Sequence, residues 1–175
     1  MKKRKRKPTR YVLVFAYGSN MHQAQMLQRG PGARACQPAG LVGWRLAFTG
    51  YSERRAGSVA TIEPRDDRYV VGRLWEVPER QMPDLDQCEG VDQFIYRRET
   101  MNVLVGLGTG AAKVVEAQVY IHNDERPMPL AMPGPTYVAT IRTALRELQL
   151  DESRLNAALA RTRKRVARNK NARRS

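Results

Sequence analysis

Cysteine and histidine are scarce. Cys36, Cys88, His22 and His122 are all that the 175 residues contain. The two cysteines form no CxxC pair and stand far apart, so free reduced thiols are expected rather than a disulfide framework. The histidines show no HExxH or other ligand spacing, so no zinc site and no metal cofactor is expected. No apolar run approaches the ~20 residues of a membrane-spanning helix. No GxSxG surrounds Ser19, which leaves a serine triad without support. The glycine-rich stretch Gly106–Gly110 precedes a β-like run rather than a helix, which argues against a phosphate-cradling loop. Aromatic residues are also few, at 7%. None is interleaved in the basic runs, unlike the stacking platforms of single-strand nucleic-acid binders.

Positive charge is plentiful, and it is unevenly placed. The net charge is +14, with seven basic residues and no acid in residues 1–10, and eight basic and no acid in 161–175. The other 16 basic residues share residues 11–160 with all 17 acidic ones, so that region nets −1. The chain therefore divides into a basic N-terminal tail (1–10), a folded domain (11–160) and a basic C-terminal tail (161–175). The first tail is expected to be disordered and the second partly helical or disordered. Both tails are candidates for weak, sequence-independent electrostatic contact with nucleic acid. The order MKKRKRK then YVLVFA has the outline of a signal peptide. Its apolar part is shorter than the roughly 7–15 residues of an h-region and no cleavage site follows, so a cytoplasmic protein without a membrane partner is expected.

Along the domain, Tyr11–Tyr17 reads as a buried strand and His22–Arg29 as a short helix stopped by Gly30-Pro31-Gly32. Gln37–Tyr51 reads as a strand pair or one long bent strand, with bulges at Gly40 and Gly43. Ser58–Pro64 and Tyr69–Val77 read as two strands joined by a hairpin at Arg65-Asp66-Asp67-Arg68. A short helix follows around Met82–Cys88, with Pro83 in its first turn. Phe94–Leu107 and Lys113–His122 are two further strands, with Gly106–Gly110 as their turn. After the proline-rich PMPLAMPGP comes an amphipathic helix, Tyr137–Leu148, with Ile141, Leu145 and Leu148 aligned. Asp151 is placed to cap a last helix that runs into the basic tail. About six strands with helices at the edges make an α+β fold.

Glu89 is the most informative polar residue. Met82, Leu85 and Glu89 follow steps of three and four, so on a helix they share one face. That puts a carboxylate on an apolar stripe, near a helix C-terminus, just before Gly90. Desolvation and the negative end of the helix dipole both raise its pKa, which suits proton exchange near neutrality. The same pattern also fits a salt-bridged or solvent-turned glutamate at a helix end. Cys88, beside this carboxylate, is expected to be a core or spectator residue.

FAYGSNM, GSVATIEP, VVGRLWEV, LDQCEGVDQFIYRRETMNV and PGPTYVATI follow one another in the order seen in the γ-glutamylcyclotransferase family. The chain resembles that family over roughly Tyr11–Asn156, without either tail. The resemblance implies a small mixed, mainly antiparallel β-barrel with flanking helices. It implies cyclisation of a γ-glutamyl group to 5-oxoproline, with release of an amino acid or amine and with no metal or organic cofactor. By position, Phe15 and Ala16 lead into a substrate loop of Tyr17, Gly18, Ser19 and Asn20. Glu89 is the implied general acid/base and Tyr137 a substrate-contacting tyrosine. Gly18 then admits close backbone approach, and the loop amides face a carboxylate or a developing oxyanion. Ser19 or Asn20 is expected to cap the following helix. The YGSN form leans towards γ-glutamyl amino acids, and loop 124–135 is where a leaving-group pocket is expected. The competing reading is a non-catalytic binding module on the same fold that holds nucleic acid through its basic tails.

Overall fold

The computed structural model describes residues 8–123 and 129–172. Most of the N-terminal tail, residues 124–128 of the expected leaving-group loop and the last three residues lie outside the described residues. Among the described residues, five strands close a barrel: β1 (Tyr11–Ala16), β2 (Arg34–Ser52), β3 (Gly57–Pro78), β4 (Tyr96–Val105) and β5 (Lys113–His122), in the order β1-β3-β2-β4-β5. Pairing is antiparallel throughout except between β1 and β5, which meet in parallel at Val14 and Gln118. Among the described residues four α-helices flank it: α1 (Gln23–Arg29), α2 (Met82–Glu89), α3 (Pro135–Glu147) and α4 (Ser153–Ala172).

Trp75, Phe15, Phe48, Leu41, Val77, Val119 and Ile121 are fully buried in the core. Alternation explains the strands: in β5, Ala117, Val119 and Ile121 turn inward, as a period of two requires. The helices dock by their apolar stripes. In α3 these are Tyr137, Ile141, Ala144 and Leu145, and in α4 Leu155, Ala158 and Thr162. The buried Arg73 of β3 fixes the far end of α3, at 2.9 Å from Glu147.

Three expectations are corrected. No hairpin forms at 65–68, because both β runs pair with the same strand. Val42 faces Tyr69 and Trp44 faces Pro64 in one continuous β3. The polar Arg65–Arg68 segment is extra length on one side of a bulge, opposite Gly43 at φ +82°. The true hairpin connection is the 3₁₀ turn Glu53–Arg55, and the strand count falls accordingly. Gly40 is regularly paired with Val71 and marks no bulge. Of the two readings of Cys88, core or spectator, its exposure removes the first and leaves the second.

The last helix also runs further than residue 160, to Ala172. Lys, Arg and Ala are good helix formers, and packing extends into the basic segment. Thr162 is buried and Arg161 donates to the Leu46 carbonyl at 2.7 Å.

Candidate active site

One end of the barrel holds a cavity of about 390 Å³, within the range of small-molecule sites. Phe15, Ala16, Tyr17, Gly18, Ser19, Asn20, Glu89 and Tyr137 all line it. Residues separated by more than a hundred positions are thus brought to one place. β1 ends there, and the chain turns through Tyr17 and Gly18 into a 3₁₀ turn, Ser19–Met21. Its first backbone bond runs from the Met21 amide to the Gly18 carbonyl, so the Ser19 and Asn20 amides precede the hydrogen-bonded ladder. A Cβ at Gly18 would sit 3.2 Å from the Ala60 Cβ and 3.4 Å from the Tyr137 hydroxyl. Glycine lets the loop close on β3 and α3. The Trp75 indole donates to the Asn20 carbonyl at 3.1 Å and pins the loop from beneath.

Ser19 and Asn20 do not cap a helix; neither the 3₁₀ turn nor α1 has a side-chain cap. Their side chains are engaged by Gln25, whose amide nitrogen donates to Ser19 Oγ at 2.6 Å and to Asn20 Oδ1 at 2.9 Å. Asn20 in turn donates to Glu89 Oε1 at 2.7 Å. Arg29 donates to the same oxygen at 2.5 Å. Among the described residues, Oε2 accepts no hydrogen bond.

Glu89 is the last residue of α2, which ends at Gly90 in the left-handed conformation (φ +66°). Met82 and Leu85 are buried on the same face. Asp86 anchors the helix, paired with Arg98 at 2.8 Å and accepting from the Tyr120 hydroxyl at 2.6 Å. The Glu89 side chain is only 12% exposed. Desolvation pushes its carboxyl above the usual range, against the opposing pull of Arg29 and the Asn20 hydrogen bond. Desolvation wins here, which an ordinary surface ion pair would not show.

Five tyrosines line the cavity, and three of them, Tyr17, Tyr96 and Tyr137, are hydrogen-bonded to backbone groups around it. The Ala60 amide donates to the Tyr137 hydroxyl at 3.1 Å, and the Tyr96 hydroxyl donates to the Ala60 carbonyl at 2.7 Å. The Tyr17 hydroxyl donates to the Tyr120 carbonyl. Burial raises all three phenols, with further repulsion from Glu89 and, for Tyr17 and Tyr96, from neighbouring tyrosines. They stay protonated and act as fixed dipoles.

Sequence reasoning missed Gln25, Arg29, Arg55 and Tyr96. Gln25 and Arg29 carried a usable signal, an i, i+4 pair on the helix directly after the loop. Arg55 carried none, because a turn between two strands brings it to the cavity. Tyr96 lay inside the quoted EGV segment but looked like an ordinary strand residue. Among the described residues, no group of three or more His, Cys, Asp or Glu side chains is placed to hold a metal ion.

A closed barrel holds a desolvated carboxylate in an end cavity, bound by an amide and a guanidinium beside a loop whose first amides precede the 3₁₀ ladder. Such a carboxylate can exchange a proton with a small polar molecule. The particular family follows from its relatives: the chain belongs to the gamma-glutamyl cyclotransferase, AIG2-like family, whose model matches residues 14–138. The mouse protein named gamma-glutamylcyclotransferase is 29% identical over 139 residues, covering 77% of this chain and 70% of its own. The human protein of that name is 28% identical over 140 residues, with the same coverage. A solved structure named gamma-glutamyl cyclotransferase superposes with a TM-score of 0.73 at 26% identity, covering 82% of this chain and 83% of its own. The fold expected from the motifs, a small barrel with flanking helices, is the one observed.

Proposed function

We propose that this chain cyclises the γ-glutamyl group of a γ-glutamyl amino acid or amine to 5-oxoproline and releases the amino acid or amine. The observation that carries this reading is the Glu89 carboxylate, which lines the cavity with Oε1 held by Asn20 and Arg29 and Oε2 without a hydrogen bond among the described residues. A raised pKa in that position suits a group that takes and returns one proton in a cycle.

The steps balance around that residue. Glu89 Oε2 takes a proton from the substrate α-ammonium. The freed amine attacks the γ-carbonyl carbon, which forms the ring C–N bond and moves the carbonyl π pair onto oxygen. The Ser19 and Asn20 amides are the donors for that oxyanion. Glu89 then gives its proton to the departing nitrogen, the original C–N bond breaks, the carbonyl re-forms in the five-membered lactam, and the second proton carried by the ring nitrogen after attack passes to the released amine or to water. Because nucleophile and electrophile belong to one molecule, a cavity that folds the substrate supplies much of the rate through proximity. This explains the modest equipment.

The direct test is 5-oxoproline release from γ-glutamyl dipeptides by the purified chain. Absence of product from a panel of γ-glutamyl dipeptides and amides, with a folded protein, would overturn the reading in favour of a binding module.

A further inference from the structure

Three side chains at the cavity mouth are not used by the cyclisation. Arg55 ends the β2–β3 turn, half-buried, with its guanidinium carbon 5.2 Å from the Tyr137 ring centroid. It donates to Gln25 Oε1 at 2.8 Å, and none of the described carboxylates forms an ion pair with it. Arg29, by contrast, is committed to Glu89. Among the described residues, three arginines, Arg29, Arg54 and Arg55, line the cavity with one carboxylate, Glu89. The described lining therefore carries an excess of positive charge that favours an anion. Burial and the neighbouring Arg29 hold the Arg55 guanidinium below its ordinary range, against a weaker opposing pull from Tyr137 and Glu89.

Phe94 is the second. It lies in the turn after α2 at φ +56°, a conformation that a bulky aromatic rarely adopts. It is 70% exposed although it lines the cavity. The third is Tyr51, 40% exposed at the end of β2. Both aromatics line the same cavity, and their neighbours in the chain are linked through His122. Gly50 abuts the His122 ring, where an added Cβ would lie 2.6 Å from Nε2. The His122 ring stands edge-on to Tyr96 at 5.3 Å, and Tyr96 is two residues from Phe94.

We propose that Arg55, Phe94 and Tyr51 form the subsite for the departing group, and that it selects γ-glutamyl dipeptides whose second residue carries a free carboxylate and a large apolar side chain. This rests on the cyclotransferase reading. With the γ-glutamyl head folded between the Ser19–Asn20 amides and Glu89, the rest of the substrate extends to the mouth. A dipeptide has one carboxylate more than the corresponding γ-glutamyl amine, and Arg55 is a half-buried cation of the cavity that forms no ion pair with a described carboxylate. The cavity's exposed apolar surface is aromatic, and a strained, solvent-facing phenylalanine gains contact only when something apolar lies against it.

The test compares 5-oxoproline release from γ-glutamylphenylalanine, γ-glutamylalanine and γ-glutamyl ethylamide, by the wild type and by Phe94→Gly and Arg55→Gln. Wild-type kcat/KM is expected to fall in that order of substrates. Phe94→Gly should lower the phenylalanine-to-alanine preference roughly tenfold, the lower end of what apolar pocket contacts discriminate. Arg55→Gln should lower the alanine-to-ethylamide preference by about tenfold or more through KM, as expected for a lost charge-assisted hydrogen bond. Glycine suits the left-handed position, so the melting temperature of Phe94→Gly should hold or rise, which separates lost selectivity from lost folding. Variants that weaken all three substrates equally, or a wild type indifferent to the departing group, would overturn the subsite while leaving the activity standing. A wild type that releases no 5-oxoproline from any of the three fails earlier, at the activity itself.

Discussion

Glu89 and Arg29 lie 2.5 Å apart with both side chains largely buried, so the pair resembles a structural ion pair as much as a catalytic one. The direction of the Glu89 shift separates these roles. Its folded-state pKa is above the unfolded value even with Arg29 beside it, so the native state binds that proton more tightly than the unfolded chain. The stability this contributes is fully present below the unfolded carboxylate pKa and is lost as pH rises through the folded one. At neutral pH the ionised carboxylate therefore costs stability. Glu89→Gln keeps an Oε1 for Asn20 and Arg29 but cannot take a proton. It should lower kcat by at least roughly 10²-fold, change KM little, and hold or raise the melting temperature. The stability gain should be largest above the folded pKa and shrink in acid. Near-wild-type turnover, or a gain that grows as pH falls, would show that the glutamate is structural. Its candidacy was legible because Met82, Leu85 and Glu89 repeat with a helical period. Arg55 was not, since no periodicity links a turn residue to a cavity that tertiary pairing creates.

The elements of the site depend on close backbone approach where α3 meets the β2–β3 turn. A Cβ at Gly134 would lie 2.1 Å from the Arg55 carbonyl oxygen, a contact that only movement of the chain relieves. Gly134→Ala should therefore cost about 1–3 kcal/mol, the usual range for overpacking. It should also raise KM, because it shifts the N-terminus of α3, which carries Tyr137, against the turn that carries Arg55. Denaturant midpoints and steady-state kinetics on one preparation check both effects, and an unchanged KM would argue that α3 docks independently of the site. The helices here were readable from sequence, since Ile141 and Leu145 repeat at helical spacing and Gly90 sits where a left-handed cap is needed. β3 was misread because Arg65-Asp66-Asp67-Arg68 has turn chemistry, whereas a polar bulge also places such residues outside a continuous strand. Phe94 was read as the start of a strand because β-branched and aromatic neighbours follow it; its left-handed backbone opposes its own propensity and is imposed by the turn that closes α2.

At the scale of the whole molecule, charge and catalysis occupy different parts of the chain. Every group assigned to the chemistry lies between Phe15 and Tyr137, and none is a metal-ligand cluster, so dialysis against a chelator should leave turnover unchanged. Activity lost on chelation and restored by a divalent cation would contradict the acid–base scheme. The basic excess lies towards the termini. Deleting residues 1–9 and 166–175 removes ten basic residues and no acidic one, taking the net charge from +14 to +4. The cut at 166 spares the part of α4 that is packed: Leu155, Ala158 and Thr162 are buried, and Arg161 holds the Leu46 carbonyl. Beyond it, Arg168 and Lys170 are exposed. The truncated chain should keep its turnover within about twofold, the scale of surface changes away from packed features. Any binding to a polyanion such as duplex DNA should weaken sharply and lose its dependence on salt, because displaced counterions supply that affinity. Titrating a labelled duplex at two salt concentrations, beside the 5-oxoproline assay, measures both. A truncated protein that folds but no longer turns over would tie the basic segments to the site. Salt-sensitive binding that survives the deletion would place the polyanion surface on the retained part of the chain, where Arg161, Arg163, Lys164 and Arg165 of α4 remain.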